Sequence, residues 1–173
     1  MPRSPSDDEF TALVHASWPS LYRTAYLLVG DRGEAEDLVQ TALAKTYASW
    51  SSVRDVAAAP GYARTTLVNT ATSWFRRRSW NAESPRDVLP ERAGPVGDPD
   101  ARPLLVAALA TLAPRQRAVV VLRYYEDLSV AETARLLGIG DGTVKSQTSD
   151  ALARLRTQLG DAVVPSSLGA TRD

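Results

Sequence analysis

Residues 129–146 read SVAETARLLGIGDGTVKS, and this stretch decides the fold of the C-terminal half of the chain. Its first four residues, Ser-Val-Ala-Glu, have the spacing of a capping box, in which the serine and the glutamate each satisfy an exposed amide at the start of a helix. Ala134, Gly138 and Val144 then supply a small residue where two helices cross, a glycine for a positive-φ turn and an apolar residue that seats the second helix. The stretch predicts a helix-turn-helix.

The second helix of this motif is predicted from Asp141 to Gln158, with Val144, Leu152 and Leu155 facing inward. Its N-terminal half turns polar side chains outward: Thr143, Lys145, Ser146, Gln147, Ser149 and Asp150. Glutamine and lysine can read base edges in a major groove, and hydroxyl groups can contact phosphates, whereas a carboxylate repels phosphate unless it accepts from a cytosine amine. The pattern favours DNA binding over its alternative, an amphipathic hairpin with a solvated polar face.

The rest of the chain is helical in its periodicity, with almost no strand signal, so the predicted fold class is all-α. Two small helical domains are predicted at residues 8–80 and 104–160. Between them, residues 81–103 form a flexible linker rich in proline, a residue that removes a backbone donor and blocks helix continuation. Residues 161–173 are a tail. The five prolines of the linker region are Pro85, Pro90, Pro95, Pro99 and Pro103.

Within the first domain, Pro19 is predicted to begin a helix, since proline suits the first helical position. A helix is predicted from Glu34 to Trp50, a loop over residues 51–60 and a further helix from Gly61 to Arg78. In the second domain, Pro114 is predicted to open a helix that continues through residues 115–125.

The helix predicted over residues 61–78 carries the second functional pattern. Basic and amide side chains alternate with aromatic ones, as in surfaces that hold single-stranded nucleic acid by stacking bases and neutralising the backbone. The candidate DNA-binding residues are Arg64, Asn69, Trp74, Arg76, Arg77 and Arg78. From spacing alone, an aromatic core contact and a solvated arginine-rich helix end explain the pattern equally well.

A third pattern is the polar side of the helix predicted from Glu34, which carries Glu36, Asp37 and Gln40. Acidic residues near the start of a helix suit the positive end of its dipole. A solvated helix side is the common explanation of such a pattern, and a protein partner is the alternative.

The composition argues against most enzyme chemistry. The 173 residues include no cysteine and one histidine, His15, so thiol nucleophiles and thiolate metal sites are excluded and acid–base groups are few. No catalytic residue, metal site or cofactor is predicted. No apolar run approaches the ~20 residues of a membrane helix, and the acidic start does not resemble a signal peptide. We therefore expect a cytoplasmic protein that is not an enzyme.

Together, several stretches resemble the extracytoplasmic-function sigma factors of bacterial RNA polymerase. Residues 34–40, EAEDLVQ, look like the part of that family that contacts the polymerase clamp helices. Residues 60–78 look like its promoter-melting helix, and residues 112–129 with 142–146 look like its C-terminal promoter-binding domain. The tryptophan before the three arginines and the Ser-Gln pair in the second helix of the motif are most similar to an actinobacterial, SigE-like subgroup.

The resemblance implies partners and roles. The first domain would bind core RNA polymerase at its clamp helices through Glu36, Asp37 and Gln40. The loop over residues 51–60 and the following helix would capture an unstacked base of the minus-ten element, although residues 56–59 carry no side chain that hydrogen-bonds a base. The arginines would hold flanking phosphates, and the second domain would contact the flap and read the minus-thirty-five element of promoter DNA. An anti-sigma factor is a further partner that the resemblance allows.

The residues by themselves leave other functions open. A stand-alone helix-turn-helix regulator, whose first domain senses a ligand or dimerises, would bind a duplex operator without polymerase. A protein that binds polymerase but not DNA is a further alternative, given the carboxylate of Asp150. A small helical hydrolase is remote because no catalytic constellation is visible.

Overall fold

The computed structural model describes residues 4–81 and 103–160, which form seven α-helices and contain no strand. The prediction of an all-helical protein is confirmed. These residues fall into two compact units that divide between Trp74 and Phe75. Of the predicted linker only Asn81 and Pro103 are described, the predicted tail lies wholly outside the described residues, and the predicted domain limits stay predictions.

The first unit contains α1 (Asp7–Val29), α2 (Arg32–Ala48) and most of α3 (Ala59–Asn81). α1 packs along α2, and two short 3₁₀ turns, Trp50–Ser52 and Val56–Ala58, connect α2 to α3. All three helices contribute apolar side chains that are buried: Leu21, Ala25, Leu28, Leu38, Val39, Ala42, Leu67, Val68 and Ala71. The core of this unit therefore consists of one apolar stripe from each helix.

α1 begins at a capping box and passes through Pro19 without a break. The amide of Glu9 donates to the hydroxyl of Ser6 (3.3 Å), and the amide of Ser6 donates to the Glu9 carboxylate (2.7 Å). The prediction that Pro19 begins a helix is wrong. Pro19 is exposed, whereas Ser17 and Leu21 on either side of it are buried, so packing of one continuous face outweighs the single backbone hydrogen bond that proline removes.

α3 also differs from its predicted limits, since it begins at Ala59 and extends to Asn81. Pro60 is the second residue of this helix, a position where its missing N–H leaves no helical hydrogen bond unmade. The segment before it forms two 3₁₀ turns. The Asp55 carboxylate accepts the amide N–H of Ala57 (2.9 Å) and so caps the second turn.

The second unit contains α4 (Pro103–Ala110), α5 (Pro114–Val120), α6 (Val130–Leu137) and α7 (Asp141–Leu159). Pro114 opens α5 as predicted. The predicted helix to residue 125 changes form after α5, where residues Val121–Tyr125 make a π-helical turn. α4, α5 and α6 each pack against α7. The last helix is therefore both the central support of this unit and the second helix of the predicted motif.

The C-terminal end of α4 is closed by a side chain from α5. The Arg117 guanidinium donates to the backbone carbonyls of Leu109 (2.9 Å), Ala110 (3.1 Å) and Leu112 (3.2 Å). The Leu109 carbonyl also accepts the amide N–H of Leu112 (3.1 Å), and a cation is favoured at the negative end of a helix dipole. Arg117 therefore links α5 to the C-terminal end of α4.

Candidate nucleic-acid and protein interfaces

The helix-turn-helix predicted from residues 129–146 is present with its expected geometry. The Glu132 amide donates to the Ser129 hydroxyl (3.1 Å), and the Ser129 amide donates to the Glu132 carboxylate (2.9 Å). Gly138 has a φ of 64°, in the left-handed region that glycine adopts without strain. Val144 is fully buried. α6 and α7 are thus joined by a tight turn that leaves the outer side of α7 in solvent.

The outer side of α7 carries the predicted base-reading residues, and we call it the recognition face. Lys145, Ser146, Ser149 and Asp150 are exposed, and Thr143 and Gln147 are half-buried. The Ser146 hydroxyl donates to the Thr143 carbonyl (3.2 Å), within its own helix. The opposite side packs inward through Val144, Ala151, Leu152 and Leu155. The face is therefore polar, continuous and mounted on a helix that the rest of the unit holds in place.

The polar residues of α3 are exposed but do not form a single stripe. Arg64, Asn69, Arg76, Arg77 and Arg78 are all exposed. Asn69 and Arg76 are seven residues apart, about two helical turns, so they share one side of α3. Arg64 and Arg78 are fourteen residues apart, about four turns, and share another side. The exposed polar residues of α3 therefore lie on more than one side of the helix.

The aromatic residues of α3 differ in their exposure. Trp74 and Phe75 are half-buried, so their side chains are neither fully in the core nor fully open to solvent. The Trp80 side chain lies outside the described set. Tyr62 is 44% exposed. A base stacks on an accessible ring, and Tyr62 is more exposed than Trp74, the residue that the sequence pattern singled out.

The polar side of α2, which we call the α2 face, presents Glu36, Asp37 and Gln40 to solvent. The opposite side of α2, which includes Ala35, Leu38 and Val39, is buried, and α2 packs on α1. Burial raises the pKa of Tyr22 on α1, and the Glu36 carboxylate raises it further. Glu36 therefore acts electrostatically on the neighbouring helix, while its carboxylate remains exposed.

The segment between α2 and α3, residues 49–58, is held at both ends, and we call it the α2–α3 loop. At its start, the indole N–H of Trp50 donates to the Ser6 carbonyl (2.8 Å) at the beginning of α1. Trp50 is buried with Leu13, and its ring contacts Phe10 at a centroid distance of 5.3 Å. The loop is therefore attached to the N-terminal end of α1, 44 residues earlier in the chain.

The remaining side chains of this loop divide sharply between anchors and exposed groups. Val53 and Val56 pack on the cluster around Trp50, and Asp55 accepts from the backbone of the second 3₁₀ turn. Arg54 lies between these anchors and is exposed. The sequence interpretation did not single out Trp50 or Arg54. Trp50 could have been found only as a large apolar residue at a helix end, and Arg54 as the loop's single cation.

The described residues also set limits on other kinds of site. No helix among them combines the length and apolar character that crossing a membrane requires. Within the same residues, no three histidine, cysteine, aspartate or glutamate side chains come together in a group that could bind a metal ion.

Comparison with known protein families identifies the class of protein to which these two units belong, the transcription initiation factors. Residues 13–81 match the family described as Sigma-70 region 2, and residues 102–155 match Sigma-70, region 4. The chain belongs to the extracytoplasmic-function group of RNA polymerase sigma factors.

Its relatives support this placement over most of the chain. It is 45% identical over 155 residues to the RNA polymerase sigma-E factor of Streptomyces coelicolor, covering 87% of this chain and 86% of the relative. It is 34% identical to the ECF RNA polymerase sigma factor SigL of Mycobacterium tuberculosis, covering 88% and 86%. It is also similar to the solved sigma factor RpoE of Bartonella quintana, crystallised with the anti-sigma factor NepR, with a TM-score of 0.62, 27% identity and coverage of 87% and 96%.

Proposed function

We propose that this chain binds core RNA polymerase, recognises promoter DNA and opens it to start transcription. The α2 face supplies the polymerase contact, through Glu36, Asp37 and Gln40 against the clamp helices. A polar, exposed face on a helix whose other side is buried suits a partner surface that is itself polar. The second unit contacts the flap of the same enzyme. Two modest interfaces on one chain bind more tightly than either alone because the second contact becomes intramolecular.

Promoter recognition is divided between the two units. The recognition face of α7 reads the minus-thirty-five element through Thr143, Lys145, Ser146, Gln147 and Ser149 in the major groove. The α2–α3 loop and α3 hold the opened non-template strand of the minus-ten element. Arg64, Asn69 and Arg76–Arg78 contact its backbone, and Trp74 and Tyr62 provide rings against which bases stack.

Strand opening in this scheme requires no chemistry from the chain. Unstacking one base costs a few kcal/mol, and a protein site that holds the extruded base offsets this cost with its own contacts. The chain is therefore a binding factor and not an enzyme, and it acts in the cytoplasm with the polymerase. An anti-sigma factor is the candidate regulator, by analogy with the similar RpoE of Bartonella quintana, which was crystallised with one.

The observation that carries the proposal is the occurrence of regions 2 and 4, in that order, on one chain whose candidate contact residues are mainly exposed. In a stand-alone regulator the first unit would sense a ligand or dimerise, and neither role accounts for its match to Sigma-70 region 2.

The test is transcription with purified components. The full chain is mixed with core polymerase of Streptomyces coelicolor and a library of randomised promoters, and run-off transcripts are sequenced. We expect the chain to co-purify with the core enzyme and to select two promoter elements. Binding of an intact palindromic duplex by the chain alone, with no retention on the core enzyme, would overturn the proposal in favour of a stand-alone regulator.

A further inference from the structure

The first turn of α1 is bonded to the junction between α2 and the α2–α3 loop. The Trp50 indole donates to the Ser6 carbonyl (2.8 Å). The Tyr47 hydroxyl, in the last turn of α2, donates to the Asp7 carboxylate (3.0 Å). These two contacts join residues that are 44 and 40 positions apart in the chain. The start of α1 is therefore held to the beginning of the loop by tertiary contacts.

Phe10 lies between the two donors. Its ring contacts Tyr47 at a centroid distance of 4.8 Å and an interplanar angle of 54°. It contacts Trp50 at 5.3 Å and 67°. Aromatic pairs prefer tilted and edge-to-face arrangements at such distances, and each pair adds to stability beyond the area that it buries. We call Phe10, Tyr47 and Trp50 the aromatic cluster, and Phe10 is the one member that belongs to α1.

The inner side of the α2–α3 loop rests on the same part of the unit. Val53 and Val56 pack against the buried cluster of Trp50 and Leu13, and Phe10 packs against it as well. The other side of the loop is exposed, through Ser51, Ser52, Arg54, Asp55, Ala57 and Ala58. The apolar support of the loop therefore comes from α1 as well as from the loop itself.

The backbone of the loop adds only short-range hydrogen bonds to this support. The amide of Ser52 donates to the Ser49 carbonyl (3.0 Å), and the amide of Ala58 donates to the Asp55 carbonyl (3.2 Å). Both bonds close single 3₁₀ turns, which are weak structures by themselves. The conformation of the loop thus depends on its packing against α1.

This dependence matters for a loop that receives a strand. A loop that is ordered before binding loses less conformational entropy when the ligand binds. If the binding-competent conformation is only partly populated, the apparent affinity falls by that fraction. Because the binding of an extruded base offsets the cost of unstacking, a less ordered loop weakens promoter opening.

We propose that Phe10 and the first turn of α1 position the α2–α3 loop for capture of the opened strand. This inference rests on the proposed function and adds to it a part of α1 that lies outside the candidate DNA-binding and polymerase-binding residues. Phe10 is a positioning residue, because it acts on the strand through the loop.

The test compares full-length variants of two neighbouring positions on α1. Phe10→Leu removes the ring but keeps an apolar side chain, and Phe10→Tyr keeps the ring. Val14→Ala is the matched control, since Val14 is also half-buried, lies one turn later on α1 and is outside the aromatic cluster. All measurements are made below the thermal transition of every variant. If Phe10→Leu does not fold, Phe10→Met takes its place.

The first measurement is amide hydrogen exchange of the chain without polymerase. Phe10→Leu should speed exchange at Ser52, Val53 and Ala58 by about three- to ten-fold, the effect expected from losing one or two aromatic contacts. These three amides donate within the loop. Phe10→Tyr and Val14→Ala should leave exchange at these amides near that of the wild type.

The second measurement is strand binding by the chain with core polymerase of Streptomyces coelicolor. The probe is a fluorescent single-stranded oligonucleotide that carries the minus-ten element selected by the wild-type chain from the promoter library. Phe10→Leu should bind it roughly three- to ten-fold more weakly, in proportion to its faster exchange. Retention on the core enzyme should be unchanged, and Phe10→Tyr should bind as the wild type does.

Three results would overturn the inference while leaving the proposed function intact. Wild-type exchange in Phe10→Leu would show that α1 does not order the loop. Faster exchange with wild-type strand affinity would show that the order of the loop does not matter for capture. Equal effects of Val14→Ala would assign the change to the general stability of the unit. A wild-type chain that is not retained on the core enzyme would overturn the proposed function, and with it this inference, whatever the exchange data show.

Discussion

The amide of Ile139 donates a hydrogen bond of 3.0 Å to the carbonyl of Ala134, across the glycine that ends α6. A second hydrogen bond joins the Gly138 amide to the Arg135 carbonyl, and such a pair of bonds ends a helix at a residue in the left-handed conformation. Gly138 is that residue, with a φ of 64°. The direction in which α7 leaves the turn depends on it. The recognition face is therefore set by a backbone conformation that few residues other than glycine tolerate.

Gly138→Ala should lower the free energy of unfolding by about 1–2 kcal/mol, because a Cβ disfavours the left-handed conformation. Gly142→Ala is the matched control. Gly142 lies in the first turn of α7 with no atom within 4 Å of a built Cβ, and it has no positive φ. This variant should raise the free energy of unfolding by about 0.4–1 kcal/mol. Chemical denaturation measures both values, and equal effects would show that the turn does not require glycine.

Trp50→Phe should destabilise the first unit by about 1–3 kcal/mol, because it removes the indole donor to the Ser6 carbonyl, which keeps only the Phe10 amide, and because it shortens a side chain in a buried cluster. Tyr47→Phe is the control, since the Tyr47 hydroxyl also bonds to the start of α1, at Asp7 (3.0 Å), but Tyr47 is 49% exposed. Loss of that exposed bond should have a much smaller effect because water replaces it. Thermal unfolding would contradict this account if the two variants lost equal stability.

Replacing Arg76, Arg77 and Arg78 with alanine should weaken promoter opening and make it less sensitive to salt. Each phosphate contact that is lost reduces the slope of log affinity against log salt by about one unit. Permanganate footprinting of open complexes over a series of salt concentrations measures this slope. Open-complex formation equal to that of the wild type would show that the end of α3 does not hold the strand.

The double variant Asp37→Ala with Gln40→Ala should lower affinity for core polymerase roughly ten-fold, equivalent to about 1.4 kcal/mol. Its thermal stability should stay near that of the wild type because both side chains are exposed. Lys45→Gln, an exposed change on a different side of α2, should preserve affinity. Unfolding of the double variant would mean that the α2 face belongs to the core and is not an interface.

The stability of the first unit should fall at alkaline pH through Tyr22. Its pKa in the folded chain lies above the ordinary value of 10.0, first because of burial and then because of Glu36. Folding therefore favours the neutral phenol, and this contribution is complete below pH 10.0 and is lost as pH rises through the folded pKa. In an absorbance titration, Glu36→Gln should bring the pKa of Tyr22 down. The neighbouring change Asp37→Asn should leave that pKa where it is.

Local sequence predicted the elements of the helix-turn-helix well. Ser129 and Glu132 marked the start of α6, Gly138 marked its end, and Val144 was correctly placed in the core. These features depend on residues three to six positions apart, whose hydrogen bonds close within one or two turns. Pro19 shows the limit of the same reasoning, because a local rule for helix starts was overridden by packing along the whole of α1.

The sequence by itself determined the class of fold, the turn between α6 and α7 and the residue types that each helix could offer to a partner. Only the tertiary structure decided that Trp50 reaches back to Ser6, that Arg117 closes the end of α4 and that Arg54 remains exposed between two anchors. Helix periodicity and caps can be predicted from neighbouring residues because their hydrogen bonds are local. Which polar group is satisfied by a distant backbone, and which is left for a ligand, depends on how the helices pack.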